Sequence, residues 1–488
     1  MCEANVKQRT DSEDFQTPNI FAYFNRNFFS MQQKKQKIHF IAIGGSVMHN
    51  LAIALKQGGH EVSGSDDEIV DPSRSTLAQH GLLPDTEGWN PDKITPALDA
   101  VILGMHAKVD NPELLKAQQL GLRIFSFPEY IYEHSKNKQR IVIAGSHGKT
   151  TITAIVIHVL HYFKHKFDYV LGAKVKGIEN TVKLSDAPII VIEGDEYLSS
   201  ALDPTPKFIR YQHHIGLISG IAWDHYNVFP NEEEYVKQFD LFADATPKGG
   251  ILIYCEQDSM ALMIGKKERA DTLELSYKNH PHTSDNNGQF FLTNGKERYP
   301  IKIFGSHNYQ NISGAKEILK KIGITPEQFL EAITSFEGAA GRLQKMKEYP
   351  STSVYKDFAH APSKVKATVK ALKEIAPSRD LVAVFELHTF SSLNKKFIPQ
   401  YKDSMKAAQQ QIVYFNPAKM KDKGMEVLTE DDIRKAFAAP GLLVFQDKTA
   451  LENFLLQQSW KNKNLLFMSS GQFGGLDIPA LAEKLQVS

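Results

Sequence analysis

One run constrains the fold of this chain more than any other. Ile141-Val142-Ile143-Ala144 leads straight into Gly145-Ser146-His147-Gly148-Lys149-Thr150-Thr151. The apolar, β-branched stretch predicts a buried strand, and the residues after the glycines turn into a helical pattern. Strand, glycine turn and helix start together make a phosphate cradle. Glycines let backbone N–H groups approach phosphate oxygens, and the helix N-terminus adds partial positive charge. Lys149 has the reach for β/γ-phosphates, and the Thr150 hydroxyl suits Mg²⁺. Two residues separate Gly145 from Gly148, half as many as in the common nucleotide loop, so a generic NTPase fits poorly.

The rest of the chain is organised around similar openings. Residues 38–43 read as a strand, Gly44-Gly45-Ser46 as a turn, 47–57 as a helix and 61–64 as a second strand, which is a βαβ unit. A strand at 99–103 and a helix at 112–120 follow. Beyond the cradle come a helix at 151–165, strands at 188–192 and 214–221, a hairpin at 288–302, and helices at 308–321 and 326–336. Strands at 353–355, 381–385, 411–415, 441–445 and 464–468 alternate with helices towards the end. Alternation of this kind predicts an α/β protein with parallel sheets. At 488 residues, and about 150 per domain, about three domains are expected. The boundaries read as 31–138, 139–341 and 342–488. Residues 1–30, polar and then aromatic, read as a flexible extension ahead of Met31.

Charge and cysteines narrow the class. The net charge of +1 favours neither nucleic acid nor an anionic membrane as partner. Cys2 and Cys255 are too distant in context for a disulfide framework, and no apolar stretch would cross a bilayer. A reducing, cytoplasmic setting is expected.

Five constellations carry chemistry. Ala42-Ile43-Gly44-Gly45-Ser46 resembles a dinucleotide turn without its first glycine, with Asp66 at the distance of a ribose contact, so NAD and a UDP-type ligand are both open; the alternative is a strand–helix packing turn. Glu193, in Ile192-Glu193-Gly194-Asp195-Glu196-Tyr197, ends a buried strand, where a carboxylate can hold Mg²⁺. His225, in Trp223-Asp224-His225, could ligate a second divalent ion or orient a carboxylate. Asn308 and Asn311 share a helix face and can pair with a base edge, unless Asn308 is only an N-cap. Arg342 after Gly341 could neutralise a transferring phosphoryl group, with Asp357 holding a ribose or a cation; the alternative is a surface ion pair.

Taken together these motifs resemble the Mur ligase family of ATP-dependent peptidoglycan ligases, over roughly residues 38–478. The short cradle Gly-Ser-His-Gly-Lys-Thr-Thr is the most specific element. Gly44-Gly45 and Ser63-Gly64-Ser65-Asp66 resemble the branch that acts directly on UDP-N-acetylmuramate. The resemblance implies a three-domain architecture: a Rossmann-like domain binding the UDP-sugar through Gly44, Gly45, Ser46, Ser65 and Asp66; a central ATPase domain; and a Rossmann-like third domain binding the incoming amine through His360 and His388. It implies ATP held by Gly145, Ser146, His147, Gly148, Lys149, Thr150, Thr151, Asn308, Asn311 and Arg342. Mg²⁺ would sit on Thr150 and Glu193, with His225 serving a second metal ion, and Lys149, Glu193, His225, Arg342 and Asp357 would serve catalysis. The partners implied are UDP-N-acetylmuramate and a short peptide or L-alanine.

Within the family, Asp195-Glu196-Tyr197 with Lys207-Phe208 and Tyr211, Asp224-His225 with Phe229, and Met468-Ser469-Ser470-Gly471-Gln472-Phe473-Gly474-Gly475 resemble the peptide-adding members more than the L-alanine-adding ones. Several positions depart from the family pattern: Ala42 for a glycine or similar small residue, Gly341 for one arginine of a pair, Lys356 for an acid, Ala361 for a histidine, and the segment Phe385-Glu386-Leu387-His388-Thr389-Phe390, which lacks the Pro-Arg of peptide-ligase relatives. A nicotinamide-dependent oxidoreductase, from Gly44-Gly45 and Asp66, and a non-catalytic nucleotide sensor are the readings from other classes.

Overall fold

The structure, a computed structural model, describes residues 35–487 apart from 174, 176, 286–288, 340 and 423. The expected extension 1–30 lies outside the described residues, as does Gly288, the start of the expected hairpin. The first sheet is built from β1 (Lys37–Ile41), β2 (Glu61–Ser65), β3 (Ala100–Leu103) and β4 (Ile124–Ser126), all parallel, in the order β2-β1-β3-β4. β1 is central, so the turn it feeds opens at the carboxyl edge between neighbours, where α/β sheets collect ligands.

The second sheet repeats that logic on a larger scale. It begins with β5 (Gln139–Ala144), β6 (Asp168–Val170), β7 (Val182–Lys183) and β8 (Ile189–Glu193). A two-stranded hairpin, β9 (Leu198–Ser200) and β10 (Asp203–Pro206), stands apart, and β11 (Ile215–Ile218), β12 (Ile251–Cys255) and β13 (Leu273–Tyr277) complete the sheet. Its order is β13-β12-β11-β5-β8-β6-β7, parallel except for β6 with β7. Hence β5, β8 and β11 lie side by side, and the residues following each share one edge.

The helix Lys149–Tyr162 is apolar nearly all round, which marks an element enclosed by others. It packs against the helices Ser306–Lys321 and Pro326–Ile333. Ile152, Ile155 and Val156 are fully buried, each contributing roughly 1.5–3 kcal/mol of transfer free energy. The cradle is therefore mounted on a rigid strand and a rigid helix.

The expected hairpin at 288–302 is part of a three-stranded antiparallel sheet, β14 (His282–Ser284), β15 (Phe290–Asn294) and β16 (Glu297–Ile301). The third large sheet contains β17 (Gln344–Tyr349), β18 (Thr352–Asp357), β19 (Asp380–Leu387), β20 (Gln410–Phe415), β21 (Leu443–Phe445) and β22 (Lys463–Met468), in the order β17-β18-β22-β19-β20-β21. β17 is an antiparallel edge strand that was not expected. Its sequence, QKMKEY, has no apolar run because it pairs on one side only and keeps much of its surface in water.

The units are joined by specific contacts. Asn50, in the helix Met48–Gln57, accepts at its carbonyl from Asn180 Nδ2 and at its side chain from the Thr181 N–H. Across the other junction, Tyr226 N–H donates to Ser391 Oγ at 3.0 Å, and the Trp223 ring meets Phe397 edge-on at 5.2 Å. Among the described residues no helix is long and apolar enough to cross a membrane.

Candidate active site

The cradle forms where β5 ends. Gly145 adopts φ +134° and Gly148 φ +83°, values that an L side chain rarely tolerates. Added Cβ atoms would overlap Ser219 Oγ and Asn311 Oδ1 respectively. Gly148 is the N-cap of the helix Lys149–Tyr162, and no side chain caps that end, so its orphan N–H groups suit an anion. The loop is braced from β11: the Ser146 N–H donates to Gly220 O at 2.9 Å, and Ser219 Oγ donates to Ala144 O and His147 O.

Lys149 lies across its own loop. Its Nζ donates to Gly145 O and to Glu196 Oε2, both at 2.5 Å. Burial opposes its charge, but Glu196 and Asp195 outweigh burial and hold the ammonium above the usual lysine range. Glu196, whose side chain is 1% exposed, is held well below the usual carboxylate range, because Lys149 and His225 overcome its desolvation. A hydroxyl relay completes the setting. Ala222 N–H donates to Ser146 Oγ, which lies 2.8 Å from Tyr235 Oη, and Tyr235 donates to Glu196 Oε1. Sequence reading quoted Glu196 in its motif without choosing it. Its position, three residues beyond the strand-end acid Glu193, was the available signal.

Thr150 and Glu193 meet as expected from their strand and helix ends. Thr150 Oγ1 donates to Glu193 Oε1 at 2.7 Å, and the Gly172 N–H donates to Glu193 Oε2 at 2.9 Å. A hydroxyl and a carboxylate side by side at a phosphate loop are hard oxygen donors, the set Mg²⁺ prefers. His225 lies elsewhere in the site. Its Nε2 is 3.3 Å from Glu196 Oε1, its ring stands edge-on to Tyr197, and its backbone takes φ +55°. Burial opposes its charge, but Asp224 and Glu196 raise its pKa above the usual histidine value. Among the described residues no three His, Cys, Asp or Glu side chains gather as a metal group. His225 is thus seated as a charge partner of Glu196.

Asn311 reaches the cradle and Asn308 does not cap the helix. The helix Ser306–Lys321 starts after Gly305 with no side-chain cap. Asn308 Nδ2 instead donates to Phe304 O at 2.8 Å, and Asn311 Nδ2 lies 3.4 Å from Asn308 Oδ1. Asn311 is therefore packed on Gly148, so its amide oxygen faces the phosphate loop.

The third domain brings Arg342 to the same place. Arg342 Nη2 donates to Thr150 Oγ1 at 3.3 Å, and its guanidinium lies 5.1 Å over the Phe358 ring. Asp357 is buried. It accepts the N–H groups of Leu343 and Ala359, and Thr368 Oγ1 at 3.4 Å. These bonds fix the backbone beside Arg342, including Leu343 at φ +41°.

His360 faces Asp224 at 3.9 Å rather than opening to solvent, and burial with the Lys364 charge pushes its pKa down to about 3. His388 Nδ1 lies 3.9 Å from Glu386 Oε1, and a Cβ on Gly471 would crowd its ring. Glu386 is buried and accepts from Ser469 Oγ and the Phe473 N–H. His360 and His388 thus stand on different strand ends of the third sheet. Lys364, missed by sequence reading, lies 3.6 Å from Asp224 Oδ2.

The first domain presents the second glycine turn. Gly44 N–H donates to Asp66 Oδ2 at 2.7 Å, and the N–H groups of Ala42 and Ile43 donate to Ser65 O. Ser65 Oγ accepts from Lys93 Nζ at 3.2 Å. Burial raises Asp66 to about 6 against its backbone hydrogen bonds. Ser46 is exposed at the mouth of the turn, ahead of the helix Met48–Gln57, which has no side-chain cap. Gly44, Gly45, Ser46, Ser65 and Asp66 therefore share one edge, with Asp66 closing on Gly44.

Comparison with known proteins identifies this architecture. Three family models match in chain order: the Mur ligase family catalytic domain over residues 37–139, the Mur ligase middle domain over 143–318 and the Mur ligase glutamate ligase domain over 341–471. The UDP-N-acetylmuramate–L-alanine ligase of Caldicellulosiruptor bescii is 29% identical over 77% of this chain and 83% of its own length. The UDP-N-acetylmuramate–L-alanyl-γ-D-glutamyl-meso-2,6-diaminoheptandioate ligase of Escherichia coli is 25% identical over 93% of this chain and 100% of its own length. The fold is shared with the murein peptide ligase of Psychrobacter arcticus, at TM-score 0.63 and 22% identity over 93% of this chain and 99% of that one. It is also shared with the UDP-N-acetylmuramate-alanine ligase of Thermotoga maritima, at TM-score 0.66 and 21% identity over 90% and 97%. The chain belongs to the Mur ligase family, ATP-dependent ligases that form carbon–nitrogen bonds in the synthesis or recycling of peptidoglycan.

Proposed function

We propose that this ligase joins a short peptide, L-alanyl-γ-D-glutamyl-diaminopimelate, to the lactyl carboxylate of UDP-N-acetylmuramate during peptidoglycan recycling. The observation that carries the activation chemistry is the convergence of Lys149, Thr150, Glu193 and Arg342 at the uncapped end of the helix Lys149–Tyr162. A carboxylate is a poor electrophile. One of its oxygens attacks the γ-phosphorus of ATP, ADP leaves, and the peptide amine then attacks the acyl carbon. The amine loses a proton and phosphate departs. Positioned cations are the main help a protein can give such charge transfer.

The backbone of residues 145–151 would hold the phosphates, with Lys149 leaving Glu196 for the transferring group. Thr150 and Glu193 would hold Mg²⁺, which supplies charge neutralisation of the phosphates when bound. Arg342 would neutralise the same charge from the third domain. The turn at Gly44, Gly45 and Ser46, with Ser65 and Asp66, would hold the UDP moiety, and the region of His360 and His388 would receive the amine.

The peptide reading is supported by the resemblances around Asp195-Glu196-Tyr197, Asp224-His225 and Met468 to Gly475; end-to-end similarity is shared by peptide and alanine ligases. A second reading, L-alanine as the amine, is favoured by the somewhat higher identity of the alanine ligases. Phosphate release with Mg·ATP and UDP-N-acetylmuramate separates them. Stimulation by the tripeptide and not by free L-alanine is expected; the reverse pattern would replace the first reading with the second.

A further inference from the structure

Lys364 occupies a position that local physics disfavours. It lies in the first turn of the helix Pro362–Ile375, which has no acidic residue in that turn and no side-chain cap. A cation there opposes the helix dipole. Its side chain is only 17% exposed, so water does little to relieve the conflict. A local rule broken in this way marks a functional position more often than a structural one.

Its surroundings show what it serves. Lys364 points across the domain junction to Asp224, whose Oδ2 is buried and has no hydrogen-bond partner. The approach of 3.6 Å is an ion pair without a formed hydrogen bond, and His360 stands off the same oxygen at 3.9 Å. Asp224 Oδ1 is already held by the His225 N–H at 2.7 Å. Lys364 also senses the charges of Lys149, Glu196 and Arg342, all of them groups of the phosphate cradle. Lys149 rests on Glu196 in the same manner, at a tighter 2.5 Å. Two lysines from two domains are thus kept on carboxylates around one loop, with Arg342 between the domains.

We propose that Lys364 is a phosphoryl-binding residue, leaving Asp224 to grip the γ-phosphoryl oxygens of the bound nucleotide from the third-domain side. This assignment rests on the ATP-ligase reading and extends it. A nucleoside triphosphate carries on its terminal group the charge that three convergent cations would match, and a diphosphate lacks that group.

The test compares binding rather than turnover alone. Calorimetry with Mg·AMP-PNP and Mg·ADP is run on the wild type, Lys364→Met and Lys364→Arg. Lys364→Met is expected to weaken AMP-PNP by about 10-fold, the scale of one charge-assisted hydrogen bond. ADP affinity should stay within about 2-fold, and Lys364→Arg should recover most of the loss, because a guanidinium also binds phosphate. Equal weakening of both nucleotides would show a role in docking the domains and overturn the assignment. So would an unchanged AMP-PNP affinity in Lys364→Met, or a defect confined to the KM of the amine substrate. A wild type that bound neither nucleotide would bring down the ATP reading itself, and Lys364 with it.

Discussion

The two glycine turns of this molecule, one after β1 and one after β5, start from the same plan and differ in what occupies their backbone. Each follows a strand flanked on both sides by parallel neighbours, and each leads into a helix with no side-chain cap. In the central domain the neighbouring strand's acid, Glu193, takes the Thr150 hydroxyl and leaves the turn itself alone. In the first domain the neighbouring strand's acid, Asp66, closes on the Gly44 N–H. A carboxylate on that N–H competes with any anion for the same donor. The comparison teaches that the adjacent strand end decides whether the N–H groups of a glycine turn stay free for an anion. On the proposed function the first turn would hold its ligand beside Asp66, and the second would take phosphate directly.

The glycines carry the same contrast. Gly145 and Gly148 take positive φ, whereas Gly44 and Gly45 do not, and in the first turn the strained conformation falls on Ala42, at φ +69°. An alanine in the left-handed region costs roughly 1–2 kcal/mol.

The sharpest break of the comparison is Lys149→Ala, which removes the cation that distinguishes the second turn. Ligation should fall by at least ~10²-fold, the scale for one charge-stabilising group, measured as phosphate release under saturating substrates. Near-normal turnover would remove the central turn from the chemistry.

A smaller effect separates the glycines themselves. Gly148→Ala must adopt φ +83° and meet Asn311, so a loss of about 2 kcal/mol or more is expected from backbone strain and overlap. Gly45→Ala comes no closer than 3.2 Å, to Met48 Cγ in a flexible side chain, and should cost less than about 1 kcal/mol. Chemical denaturation of both variants gives the difference, and equal losses would erase the distinction between the turns.

The smallest expected change is a gain. Ala42→Gly relieves the left-handed strain at the first turn but adds unfolded-state freedom, leaving roughly 0.5–1 kcal/mol of net stabilisation. A rise in the denaturation midpoint is the check, and a fall would show that the Ala42 methyl, packed near Gly104, contributes more than the strain removes.

Much of this could be read before any coordinates. The parallel strands β1, β3, β5, β8, β11 and β19 are continuous apolar runs because they are covered on both faces, and such runs stand out in sequence. The cradle was legible because glycines, Lys149 and Thr150 act through contiguous backbone. β17 was not legible, since an edge strand half in water has no apolar signature. Glu196 and Lys364 were missed for a different reason. Their meaning lies in partners 47 residues away in one case and across a domain junction in the other. For Asp357 the motif gives no sign of the backbone it holds, because its bonds to Leu343 and Ala359 form only in the folded chain.

By itself the sequence determined that strands would alternate with helices, that a phosphate cradle would open at residue 145, and which family pattern the motifs follow. These are local properties, written in hydrophobic periodicity and in residues adjacent along the chain. Only the tertiary structure decided which group each carboxylate faces: Glu196 the Lys149 ammonium, Asp66 the Gly44 N–H, Asp224 the Lys364 ammonium. Such pairing depends on distance through space, falls steeply over a few ångströms where water is excluded, and is fixed only when strand ends distant in sequence fold side by side.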